Sequence, residues 1–223
     1  YPLAFILAGV AAGAATVIIG LTRLDRQPKL GVSFRAVGKL FARPDVVLPA
    51  VISLVAQIGN WSVTFGFLPI LAADMGGGDV AKSLLVSLNL LALTSGNLIN
   101  TYVARRLPRV ALLTITIGVF CGAIVLIAVA QNLTFLFAAV FLMGLANGFT
   151  YPTLMGMSIE FVEQERRSTA MGIHQSVYAV GMFAGPWLGG LLAETMGIRW
   201  MFGVVAVFIL VANYTLLFVF SRA

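Results

Sequence analysis

Charge is scarce in this chain, with one residue in ten Asp, Glu, Lys or Arg. That is too little polar surface to keep a folded domain of 223 residues in water. Cysteine and histidine occur once each, as Cys121 and His174. A disulfide framework and a Cys/His metal cluster are therefore excluded, so no metal or other cofactor is expected, and Cys121 reads as a small core residue. All eight acids, Asp25, Asp45, Asp74, Asp79, Glu160, Glu163, Glu165 and Glu194, stand at the ends of apolar runs or between them. No paired carboxylate is available for acid–base work within such a run, and there is no His-Glu-x-x-His zinc site. His174 has no serine motif to serve, so an enzyme is not expected. The three lysines, Lys29, Lys39 and Lys82, include none in the last apolar run, which excludes a retinal Schiff base. A channel filter of carbonyls or a ring of charge is also missing. The chain opens Tyr-Pro, without an initiator Met or the basic start of a signal peptide, and is expected to be a piece of a longer protein.

What the sequence holds instead is apolar length. Hydrophobic residues make up 60% of the chain and the mean hydropathy is +1.01. Seven apolar stretches, 1–22, 46–73, 82–104, 110–130, 133–158, 168–192 and 198–220, each exceed the roughly 20 residues a helix needs to cross a bilayer. An open sheet leaves its backbone unpaired in lipid, and the ten-residue alternation of a membrane barrel is absent. The expected class is an all-α integral membrane protein with seven spans. If the spans alternate, all basic residues but Lys82 and Arg199 fall on one side, the side that Lys and Arg mark as cytoplasmic. The start is then outside and the C-terminus inside a plasma membrane. This sidedness accounts for the net charge of +6 without a nucleic-acid partner. Asp45, after Pro44, is expected to cap the second span.

Between the first two spans lies the one long linker, 23–44. Phe34, Val37 and Phe41 recur in it at helical spacing, while Arg35, Lys39 and Arg43 follow on another face. That pattern predicts a short basic amphipathic helix suited to an anionic leaflet, with a solvated connector as the alternative. Further on, "GMFAGPWLGG" at 181–190 packs four glycines and Pro186 into ten positions of an apolar run. Gly181 and Gly185 form a small-xxx-small pair, continued by Gly189 and Gly190, that lets helices approach closely in lipid. Pro186 weakens the ladder beside them, so the segment reads as a site of packing and bending.

Three stretches carry a family resemblance. Residues 165–203 resemble the penultimate helix of a major facilitator superfamily transporter, and "GMFAGPWLGG" is similar to the GxxxGPxxGG pattern of its antiporters. "GNLINTYVARR" at 96–106 resembles a decayed copy of the family's GxLxDRxGRR loop. Gly96, Arg105 and Arg106 are kept there, with Asn100 where Asp is usual and Thr101 where Arg is usual. "FLMGLANGFTYP" at 141–152 resembles the tenth helix. A long basic linker before six spans, and a fifth span without Arg, resemble the second half of that fold. The resemblance then implies that 1–22 is the last helix of a first bundle, 23–44 a cytoplasmic linker and 45–223 the second six-helix bundle. The missing first half, the bilayer, a small-molecule substrate and protons are the implied partners, and a boundary between rocking bundles is the implied place of the glycine-rich helix.

Polar side chains within spans are the candidates for lining a substrate cavity. They are Gln57, Asn60 and Thr64 beside Trp61; Asn89, Asn97 and Asn100; Asn147 and Tyr151; and His174, Gln175 and Tyr178. Amides and aromatics without fixed charge suit an amphipathic organic molecule better than a phosphate or small ion. The expected activity is proton-coupled export by alternating access, its direction taken from the antiporter-like motif. A symporter or uniporter of the same fold is the alternative, and a seven-helix receptor a more distant one. His174 is expected to be a hydrogen-bonded structural residue, with the proton-carrying carboxylate in the other half.

Overall fold

The computed structural model describes residues 2–22 and 34–222. Two units are distinguished, 1–31 and 32–223. The first contains one apolar helix, α1 (Pro2–Leu21), whose Thr16 hydroxyl folds back on the Ala12 carbonyl at 2.8 Å.

The second unit is a bundle. A short helix, α2 (Phe34–Phe41), precedes α3 (Pro44–Trp61), which passes through a wide turn at Ser62–Phe67 into α4 (Leu68–Asp74). Then follow α5 (Asp79–Val103), α6 (Arg109–Val129), α7 (Leu133–Ile159), α8 (Arg167–Met196) and α9 (Ile198–Phe220). No strand occurs among the described residues. Among the described residues, six helical segments are long and apolar enough to cross a membrane: Pro44–Asp74, Asp79–Val103, Arg109–Val129, Leu133–Ile159, Gln164–Met196 and Ile198–Phe220. They coincide with expected spans two to seven within a few residues. Gly197, at φ +84°, separates the last two, a conformation that a side chain rarely adopts.

Local chemistry explains several helix ends. Pro44 opens α3, where its missing N–H is no loss. Asp45 is not the cap, contrary to expectation: the residue at that position is Arg43, and Asp45 lies in the first turn, paired with the Arg43 guanidinium at 2.6 Å. A carboxylate there still complements the helix dipole. Asn132 caps α7, its Oδ1 accepting the Phe135 N–H at 2.9 Å. The break after Trp61 follows from Pro69, which cannot donate to the turn before it. The Leu68 N–H reaches back five residues to the Val63 carbonyl, the signature of π-helical widening.

The core is continuous and apolar, with Ile52, Leu113, Ile124, Met143, Leu154 and Phe202 fully enclosed and Cys121 buried among them. Two helix pairs approach unusually closely. Along α5 and α7, Gly96, Gly144 and Gly148 bring backbones together, so that a Cβ on Gly148 would fall 2.2 Å from the Leu93 carbonyl oxygen. Along α3 and α8, a Cβ on Gly181 would fall 2.2 Å from the Leu54 oxygen, and one on Gly185 2.5 Å from the Ile58 oxygen. Both numbers rise together along α3 and α8, so these helices run parallel.

Charge gathers at one end of the bundle. Arg43 donates to the Phe161 carbonyl at 3.0 Å, Arg109 pairs with Glu160, and Arg166 pairs with Glu163 at 3.4 Å. At the opposite end Lys82 meets Asp79, and Arg199 donates to the Ala128 and Ala130 carbonyls at 2.7 and 2.6 Å, satisfying the end of α6.

Candidate functional site

A side chain that lines a cavity between this bundle and another body must be reachable on the surface of this bundle alone. That criterion divides the polar candidates. Gln57, Asn60, Thr64, Asn89, Asn147 and His174 are all buried within the six helices. Trp61, Asn97, Tyr151 and Tyr178 are partly exposed, and Gln175 is exposed.

The buried group is bonded internally where partners are seen. Asn60 donates toward Gln57 at 3.4 Å and accepts from Thr64 at 3.5 Å, forming a chain along α3 and its widened turn. Asn89 donates to the Val140 carbonyl at 3.5 Å, and Asn100 donates to Thr153 Oγ1 at 3.2 Å; both join α5 to α7. Asn100 thus lies inside the helical pair, while Arg105 and Arg106 stand exposed just beyond it. His174 Nδ1 lies 2.8 Å from Ser158 Oγ, which donates to the Val46 carbonyl at 3.0 Å. Since Val46 belongs to the first turn of α3, His174 sits near the basic end of the bundle rather than at its middle.

Of the exposed group, Tyr151, Gln175 and Tyr178 converge on one face of α7 and α8, while Asn97 stands on α5. Gln175 donates to the Tyr151 hydroxyl at 2.6 Å, and the Tyr151 and Tyr178 rings stand 5.4 Å apart at a tilt. Tyr151 also meets the His174 ring edge-on, 6.2 Å between centroids, which braces it from behind. This gives a patch of two phenol rings and an amide with a spare acceptor, without a charged side chain among its members. It can stack on an apolar or aromatic surface and offer a few hydrogen bonds, but it cannot neutralise a strong charge. Trp61 stands on α3, stacked on Phe65 at 4.6 Å. No group of three or more His, Cys, Asp and Glu suited to a metal occurs among the described residues.

The glycine-rich segment is a packing surface. Gly181 and Gly185 are buried against α3 and Gly189 against Ser62 and Phe67 of the widened turn, within the same bundle, and α8 remains helical through Pro186. Gly190 faces open space. Ser62, missed in the sequence, completes the contact: its hydroxyl lies 2.6 Å from the Gly185 carbonyl and 2.7 Å from that of Ile58. Missed too was the Gly144/Gly148 pair, although its i, i+4 spacing is that of Gly181/Gly185. Ser158 and Thr153 gave no signal, because a lone hydroxyl in an apolar run usually bonds its own helix.

Comparison with known proteins agrees with this architecture. Residues 50–223 match the sequence profile of the Major Facilitator Superfamily. An uncharacterized MFS-type transporter of Mycobacterium tuberculosis is 28% identical over 176 residues, 77% of this chain and 25% of that protein. An efflux pump, radE, of Floropilus chiversii is 24% identical over 73% of this chain and 30% of its own length. Among solved structures, the E. coli fucose:proton symporter FucP superposes with a TM-score of 0.67 at 18% identity, covering all of this chain and 54% of that one. The chain spans between about a quarter and about a half of these relatives.

Proposed function

Because this chain belongs to the major facilitator superfamily, we propose that it forms the second bundle, with the preceding helix and linker, of a proton-coupled exporter of small amphipathic organic molecules. The observation that carries the reading is the accessible Tyr151–Gln175–Tyr178 face, aromatic and uncharged, on a bundle that buries Gln57, Asn60, Thr64, Asn89, Asn147 and His174. A flexible or planar apolar substrate stacks on the rings and meets the amide, while a first bundle supplies the opposite wall and the titrating carboxylate. The two bundles rock about this face, exposing it to each side in turn. The efflux pump among the relatives supports the direction. In this reading 1–22 closes the first bundle, and 23–44 is cytoplasmic.

Single cysteines in the full-length protein, in a Cys121→Ala background, test both access and sidedness. Gln175→Cys should react with an impermeant thiol reagent from either face of the membrane, with substrate raising one rate and lowering the other. Lys39→Cys should react only from the cytoplasm and Gly78→Cys only from outside. Gly78 is suitable because it faces open space, whereas a Cβ on Gly77 would meet the Ala72 carbonyl at 2.7 Å. A Gln175→Cys thiol that reacts from neither face would remove the cavity assignment, and exchanged sidedness of the other two would invert the topology.

A further inference from the structure

We propose that α2 is an interfacial anchor that binds the anionic lipid headgroups of one bilayer leaflet, independently of what the protein carries. Its position forces it to the membrane boundary. Phe41 ends α2 and Pro44 begins a membrane-spanning segment. Three Cα steps separate them, at most about 11 Å. The helix itself is only about 12 Å long by its rise per residue, so none of it lies far from the headgroup zone.

The docking of α2 fixes which side it presents. Leu40 is buried at 3% exposure against Val46, Val162, Ala170 and Ile173, and Val37 packs beside it. This small cluster ties α2 to the ends of α3 and α8 and the turn after α7. The sequence pattern had put Phe34, Val37 and Phe41 together as the apolar face, and the bundle takes only Val37 of these, using Leu40 instead. Phe34 remains 92% exposed and Phe41 52%. At 100° per residue the two phenylalanines fall in one row, roughly 80° from the docked side, with Arg35 and Lys39 farther round, roughly 150° from it. Both basic side chains are exposed and form no ion pair among the described residues. The order around the helix is thus bundle, aromatic row, basic row.

That order matches the layers of a leaflet edge: protein, acyl boundary where aromatic rings settle, and phosphate where Arg and Lys settle. Water would leave two large rings unburied beside two unpaired cations. A negatively charged leaflet satisfies both, and an electrically neutral one satisfies only the rings.

Gly38 lies between the two rows and faces open space, so Gly38→Cys can carry an environment-sensitive bimane without disturbing the docking. The full-length protein, in a Cys121→Ala background, is placed in phosphatidylcholine vesicles with and without about one-third phosphatidylglycerol. With the anionic lipid, a headgroup-level nitroxide lipid should quench the dye strongly while aqueous acrylamide quenches it weakly. Arg35→Glu with Lys39→Glu should cut the lipid-borne quenching about fivefold or more, and Arg35→Lys with Lys39→Arg should keep it. An unchanged thermal midpoint would show that the double reversal leaves the bundle intact. The proposal is overturned if acrylamide reaches the dye equally in both vesicles. Shielding from both quenchers, which would mean that protein covers α2, also overturns it, as does lipid quenching indifferent to the charge reversal.

Discussion

Gly185→Leu should abolish transport by the full-length protein and lower its thermal midpoint, while Gly190→Ala should leave transport unchanged and hold or raise the midpoint. The two glycines are five residues apart in one motif but meet opposite surroundings. At Gly185 even a Cβ would stand 2.5 Å from the Ile58 carbonyl and 3.2 Å from the Ser62 nitrogen, both backbone atoms that cannot move without moving α3. The Ser62 hydroxyl, which reaches the Gly185 carbonyl at 2.6 Å, would lose that contact as the helices part. Overpacking of this kind costs about 1–3 kcal/mol for small additions, so Gly185→Ala should already lower stability and leucine should separate the helices. At Gly190 nothing lies within 4 Å, and alanine is the better helix former by about 1 kcal/mol. Thermal unfolding of the purified variants, with flux alongside, distinguishes packing from bending. Full stability with lost transport in Gly185→Ala would make the residue a hinge, and ordinary transport by Gly185→Leu would remove it from the account.

The second large effect concerns the aromatic face. Tyr151→Ala with Tyr178→Ala should raise the substrate concentration needed for half-maximal transport about tenfold or more, taking each ring contact as worth about 0.5–1.5 kcal/mol beyond its buried area. Stability should change little, because both rings are only partly buried and the one hydrogen bond lost is that from Gln175. Tyr151→Phe should keep most of the affinity, since it retains the ring. A double variant that transports normally would show that substrate does not touch this face. One that unfolds would show that the rings are structural.

Much of the fold was legible because lipid leaves few choices: an apolar run of sufficient length must be a helix. The six spans from residue 44 onward appear within a few residues of the expected boundaries, and the linker helix appears at 34–41. Faces were less legible than elements. The stripe of Gln57, Asn60 and Thr64 was foreseen, but periodicity does not say whether a polar stripe points to a cavity or to a neighbouring helix, and here it points inward. The close approach at Gly96, Gly144 and Gly148 depends on α7 crossing α5, a pairing of distant segments that local spacing does not encode. Asn100 illustrates the difference. It was expected both in the loop motif and on a face of its span with Asn89 and Asn97, and the buried amide is held by Thr153, 53 residues away. His174 was expected to be a hydrogen-bonded structural residue. Its bond to Ser158 at the level of Val46 supplies a partner that only the folded bundle brings near.

The proposed proton-coupled export of an amphipathic organic molecule by the full-length protein can be tested by flux. Full-length protein in proteoliposomes, sorted so that its cytoplasmic face is outside, is given an acidic interior and ethidium as the probe. Ethidium should accumulate against its gradient, nigericin should collapse the accumulation, and His174→Gln should slow it modestly without uncoupling it. Accumulation that survives collapse of the pH gradient, or ethidium that only equilibrates, would contradict proton-coupled export. Loss of coupling in His174→Gln, with ethidium still bound, would place the proton site in this bundle.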